Sequence, residues 1–148
     1  MTSHQIELVQ QSWEKVKPIA HEAGLIFYNH LFTAAPQIRH LFKADITEQS
    51  VKLVRMLTYI VSMLKRIGDI RPDIDSLAAA HNGYGARPEH YHVVGACLIQ
   101  TLKDGLGTAW NAELEEAWLT VFTILKDEMI SAQARLASPS ERQFTTNG

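Results

Sequence analysis

Cysteine is all but absent from the 148 residues: Cys97 stands alone, so no disulfide can close within the chain. Long apolar runs are missing too. The most hydrophobic stretch, LVRMLTYIVSML at 53–64, is broken by Arg55 and flanked by Lys52 and Lys65, and it falls short of the ~20 apolar residues a membrane span requires. The opening residues, MTSHQIELVQ, are too polar for a secretory leader. These shortages predict a cytoplasmic protein with no membrane contact. An excess of either charge is also missing. Fourteen basic residues against 16 acidic ones leave a net charge of -2 and a pI near 6.4, so no basic field exists to hold nucleic acid or an anionic bilayer. Small neutral ligands and protein partners suit such a surface better.

What the chain does have is apolar residues at helical spacing, 46% of the total. A domain of this length buries roughly 70% of its unfolded surface. No alternating strand-like run bounded by hairpin signals occurs, which predicts an all-α bundle of seven or eight helices. Thr2 or Ser3 can cap a first helix striped by Ile6, Val9, Trp13 and Val16 and disturbed by Pro18. A second helix, from about Glu22, carries Leu25, Tyr28, Leu31 and Phe32 and stops before Pro36, which opens a short turn, PQIRHLF. Thr47 is the expected cap of a third, whose inner face holds Gln49, Leu53, Met56, Leu57, Ile60 and Leu64. Pro72 starts a short helix ended by Gly83 and Gly85, with His81 in its last turn. Pro88 opens a long helix to about Gly105, and a last one runs from about Ala112 past Met129. The polar segment 137–148 is expected to be a disordered tail.

The segment AAAHNGYGARPEHYHVVG, 78–95, clears bulk away just before an imidazole and then breaks the helix. A lone histidine in a last helical turn usually does no more than complement the helix dipole. Here Leu77 lies one turn behind His81, Ala78 leaves room for something flat, and the face continues to Tyr84. That suits a ligand plate better than solvent.

With SWEKV (12–16), GLIFYNHLFTAAPQIRHLF (24–42), QSVKLVRML (49–57) and AWLTVF (117–122), this segment gives the chain its resemblance to globins. The likeness covers about residues 4–135 and is greatest to single-domain bacterial globins, neuroglobins and the globin domain of flavohaemoglobins. It implies a globin domain over 1–136 and a haem b held through His81 as proximal ligand, with Phe42 wedged against the porphyrin. Neutral imidazole is a good iron ligand, and its second nitrogen needs an acceptor, most simply the carbonyl near Leu77. On the distal side the resemblance places Tyr28, Gln49 and Leu53. Alone, each of these reads as ordinary packing or surface; together they read as a pocket with two donors for a bound gas. A hydrogen bond to a charged group is worth roughly 1.5–3 kcal/mol, enough to slow oxygen release by about ten- to a hundredfold. Lys52 matches a position that reaches a haem propionate, although a solvated lysine fits it equally. Tyr84, Tyr91, Leu98 and Phe122 are expected around the cofactor, while Val94 and Trp118 serve equally as wall or core.

The pattern also departs from its relatives. Tyr91 matches the tyrosine that flanks the proximal histidine in flavohaemoglobins, but the accompanying carboxylate position falls on Gln133, with Glu128 more than a turn away. An uncharged amide gives little electronic push. No flavin or nicotinamide motif follows, so the iron would need an external reductase. Gln49 replaces the histidine that closes the sixth iron site in neuroglobins. The resemblance thus implies reversible binding of O2, NO and CO for oxygen storage or transport. The alternatives are nitric oxide dioxygenation with an external reductase and haem-based gas sensing. No catalytic residue is assigned, and a monomer or weak homodimer is expected. Elsewhere, His90 and His92 point about 200° apart on a helix and read as a solvated helix end. His21, His30 and His40 lack ligand spacing, Cys97 reads as buried packing, and Glu113, Glu115 and Glu116 suit a helix start.

Overall fold

Most of the α-helices begin where the sequence supplies a cap or a proline. In the computed structural model, the backbone is described for residues 1–42, 45–83 and 87–147 and the side chains for 1–42, 45–81 and 87–135. Thr2, not Ser3, caps α1 (Ser3–Val16): its hydroxyl accepts from the Gln5 N–H at 3.0 Å while the Gln5 side chain accepts from the Thr2 N–H at 3.0 Å. Pro18 diverts the chain into the 3-10 turn Lys17–Ile19, and α2 (Ala20–Ala34) follows directly. Pro36 then opens the 3-10 turn Pro36–Leu41. The cap of α3 (Ile46–Ser62) is Asp45, whose carboxylate accepts from the Thr47 N–H at 3.3 Å, rather than the expected Thr47. Asp45 precedes the first helical residue, so its side chain reaches a free N–H that Thr47, already inside the helix, cannot.

After the 3-10 segment Leu64–Ile70 come α4 (Arg71–Gly83), α5 (Pro88–Leu106), a 3-10 turn Gly107–Ala109 and α6 (Ala112–Asn147). Gly107 stands at φ +54°, the left-handed region in which a side chain is strained, and it ends α5. Six α-helices and four short 3-10 segments thus stand where seven or eight helices were expected, and no strand occurs among the described residues. Helix α6 is continuous past residue 136, but the side chains of the expected tail lie outside the described residues.

Two apolar clusters form the core. The larger joins Val9, Trp13 and Val16 of α1 to Leu57 and Ile60 of α3, Ala78 of α4 and Trp118 and Val121 of α6. Trp118 is fully buried, and its indole N–H donates to Ser12 Oγ at 2.9 Å, so the one polar atom of that ring is satisfied. The smaller cluster joins Phe27, Tyr28 and Leu31 of α2 to Ile38, Phe42 and Cys97. Leu53 and Leu98 pack against both. Burial of a Leu31-sized side chain is worth about 1.5–3 kcal/mol, and Leu31 has no exposed surface. Helices α2 and α3 cross where Gly24 meets Ser50: a Cβ on Gly24 would stand 2.9 Å from Ser50 Cβ. That close approach sets how near Tyr28 and Leu53 come to each other. No helix among the described residues is long and apolar enough to cross a membrane.

Candidate functional site

The last turn of α4 leans over a cavity containing about 700 Å3 of empty space, part of it open to solvent. His81 lines it together with Leu53, Tyr91, Val94, Leu98 and Phe122, so six of the residues expected at the site meet there. The half-buried imidazole is oriented by its own helix, its Nδ1 lying 2.8 Å from the carbonyl oxygen of Leu77. A carbonyl only accepts, so Nδ1 carries the proton and Nε2 keeps its lone pair. The carbonyl is the one expected from a backbone acceptor a turn back. Burial lowers the His81 pKa below its ordinary value despite the opposing pull of the Leu77 carbonyl. The ring is therefore neutral at pH 7, the form that ligates a metal.

The Tyr91 ring stacks near the imidazole with centroids 6.3 Å apart and planes 28° from parallel. Its hydroxyl is buried without a hydrogen-bond partner among the described residues, and burial raises the phenol's pKa. An unmet donor of this kind costs about 1–3 kcal/mol, so the cavity wall is adapted to contents beyond its own side chains. Gln133 is buried on α6, whereas Glu128 lies 3.7 Å from Arg71 in a surface ion pair. The uncharged residue thus occupies the inward position.

On the other side of Leu53, Tyr28 is 5% exposed and ringed by aromatics: Phe27 at 4.9 Å, Phe42 at 5.5 Å and Phe32 at 5.9 Å between centroids. Burial pushes its phenol up to about 12, so it stays a neutral donor. Its hydroxyl makes no hydrogen bond among the described residues. Tyr28 and Phe42 share their cluster with Leu53, Val94 and Leu98, which also line the cavity. Gln49 is half-buried in the first turn of α3, its backbone N–H donating to the Asp45 carbonyl at 3.0 Å. Lys52 is exposed and lies 3.7 Å from Glu48, one turn back on the same helix. Tyr84 lies outside the described residues.

Several wall residues were not singled out beforehand. Ile74 from α4 and Leu125, Lys126 and Met129 from α6 complete the floor. The stripe 122, 125, 126, 129 has the spacing of one helix face and was the available signal. A second, largely apolar hollow shares Leu53, Leu57, Leu98 and Phe122 with the first and is lined by no titratable side chain. His90 is occupied as a cap, its Nδ1 accepting from the Arg87 N–H at 3.0 Å, and no cluster of three metal-ligating side chains exists among the described residues. Cys97 is buried, which raises its thiol pKa. The site's donor set is therefore one neutral imidazole over a largely apolar cavity, a combination that fits haem.

Similar proteins agree with this architecture. The family model for globins matches residues 25–129. A plant protein named anaerobic nitrite reductase HBII, from Casuarina glauca, is 27% identical over 94% of each chain. Neuroglobin of Tetraodon nigroviridis is 24% identical over 91% of this chain and 94% of its own. The flavohemoprotein of Bacillus subtilis is 23% identical over 79% of this chain but only 30% of its own length. Among solved structures, an engineered carbene transferase from Rhodothermus marinus, provisionally assigned as a nitric oxide dioxygenase, superimposes with a TM-score of 0.87 at 20% identity, over 95% of this chain and 99% of that one. With its fold, its pocket and a family match across most of its length, the chain belongs to the globins, a family that binds haem and diatomic gases.

Proposed function

We propose that this globin reversibly binds oxygen and other diatomic gases at a haem b ligated by His81. The observation that carries the proposal is the His81–Leu77 hydrogen bond, which leaves Nε2 unprotonated beside the cavity. Haem bound there would supply an iron able to bind O2, CO or NO, and His81 would hold it. The chain's own residues do the rest. Leu77 fixes the tautomer and rotation of His81, and Tyr91 restrains the ring from the side. Leu53, Val94, Leu98 and Phe122 exclude water. Tyr28 offers a neutral hydroxyl with no competing partner among the described residues, and Gln49 adds an amide from the first turn of α3. Phe42 packs against Tyr28 and supplies an apolar ring toward the cofactor. Lys52, once released from Glu48, is the cation assigned to a propionate. Tyr84 is assigned to the proximal rim from the sequence alone.

The free Tyr28 hydroxyl also favours a second activity, nitric oxide dioxygenation. Dioxygen, nitric oxide and one electron combine to give nitrate, with the electron supplied by an external reductase. Storage in the cytoplasm as a monomer or weak homodimer remains the simpler reading; gas sensing would require an output surface. Stopped-flow oxygen dissociation from the wild type and Tyr28→Phe tests the donor: about ten- to a hundredfold faster release is expected, and equal rates would contradict it. Nitric oxide consumption in the presence of a reductase separates the two activities. Turnover sustained beyond one equivalent per protein supports dioxygenation, and a single stoichiometric burst leaves storage.

A further inference from the structure

We propose that Arg39 and Phe32 are positioning residues that hold the Tyr28 hydroxyl toward the bound gas. This inference rests on Tyr28 being the distal donor. No hydrogen bond among the described residues fixes the phenol, so the rings around it set its orientation. Phe32 lies one turn farther along α2, and Phe42 lies at the end of the Pro36–Leu41 turn, outside that helix. The two meet edge to face at 5.3 Å, with planes 71° apart, and both touch Tyr28. Phe42 is thus the member of this triad with the least local support.

Arg39 supplies that support. Its guanidinium carbon sits 4.8 Å from the centre of the Phe32 ring, and the same group donates to the Phe42 carbonyl at 3.0 Å. The Phe42 N–H in turn donates to the Arg39 carbonyl at 3.1 Å. Arg39 makes no ion pair among the described residues, so no carboxylate competes for it. A planar cation can stack and donate at once, and a point charge does this less well. An exposed arginine at the corner therefore clamps Phe42 onto Phe32, and the pair closes around Tyr28. The side chain itself does not line the cavity beside His81.

The test is infrared spectroscopy of the carbon monoxide form together with oxygen dissociation rates. Arg39→Leu, Arg39→Lys and Phe32→Leu would each be measured with Tyr28 present and in a Tyr28→Phe background. Arg39 is exposed, so its variants are expected to fold; Arg39→Lys keeps the charge as a second check. With Tyr28 present, Arg39→Leu should broaden the C–O stretching band toward the position seen for Tyr28→Phe and speed oxygen release about fivefold. Arg39→Lys should fall between it and the wild type. In the Tyr28→Phe background Arg39→Leu should change neither reading, because coupled residues are not additive. Equal effects in both backgrounds, or no effect in either, would overturn the positioning role while leaving the donor role of Tyr28 intact. If Tyr28→Phe alone left band and rate unchanged, both would fall, since there would be no donor to position.

Discussion

On the α2 side of Leu53, ring packs on ring. Tyr28 is enclosed by Phe27, Phe32 and Phe42, and no polar atom of the protein reaches its hydroxyl among the described residues. On the α4 side, about 700 Å3 stands open beside His81, and the helix carrying it is tied down by surface polar contacts. Tyr59 donates to Asp73 at 2.7 Å, Arg135 pairs with Asp75 at 2.8 Å, and Arg71 faces Glu128 at 3.7 Å. The donor side is thus held by dispersion and burial, which salt scarcely affects. The ligand side adds exposed charges, which salt weakens, to the burial of Ile74 and Ala78 in the larger cluster. The difference indicates that the proposed donor Tyr28 is preorganised by ring packing alone, whereas α4 also depends on surface contacts that can yield.

The largest expected effect comes from emptying the ligand side. His81→Ala should lose the ordinary axial bond and bind haem at least about tenfold more weakly, because even removal of outer partners of a ligand costs about 10–100-fold. Haem transfer to an acceptor globin would read this, and unchanged retention would break the contrast between the two sides. Next is the junction between them. Gly24→Ala places a Cβ at 2.9 Å from Ser50 Cβ, and overpacking of this kind costs about 1–3 kcal/mol. Thermal unfolding should show a lower midpoint, and oxygen release should quicken as α3 shifts away from Tyr28.

Acidification separates the sides more gently. The folded His81 pKa lies below the ordinary value of 6.5, so the unfolded chain takes up its proton first. In the haem-free protein this contribution to stability is complete above that value and declines as pH falls below it. Urea titrations at several pH values should show the decline, and His81→Phe should diminish it. The smallest effect belongs to the surface ties: Asp75→Asn should cost under about 1 kcal/mol, should do so only at low salt, and should leave the oxygen dissociation rate unchanged.

Much of this was legible in residue spacing. The apolar stripes located the helices, the prolines at 18, 36, 72 and 88 located their breaks, and the interval from Leu77 to His81 identified the carbonyl that orients the imidazole. What escaped depended on partners distant in sequence. Choosing Asp45 over Thr47 as a cap required knowing the first helical residue. The floor of Ile74, Leu125, Lys126 and Met129 becomes a wall only once α4 lies across α6. Arg39 reads as a solvated cation until Phe32 and Phe42 are seen on either side of it. Lys52 shows the reverse case, in which the position was legible but its nearest partner is the helix neighbour Glu48.

The central claim is that His81 presents a free Nε2 to a cofactor whose opposite face stays open, and the visible spectrum of the haem-loaded protein, reduced and then exposed to carbon monoxide, tests it most directly. A single broad band on reduction, typical of five-coordinate iron, and a clear shift with carbon monoxide are expected. Two sharp bands on reduction would reveal an internal sixth ligand, and failure to take up haem at all would contradict the account from its first step.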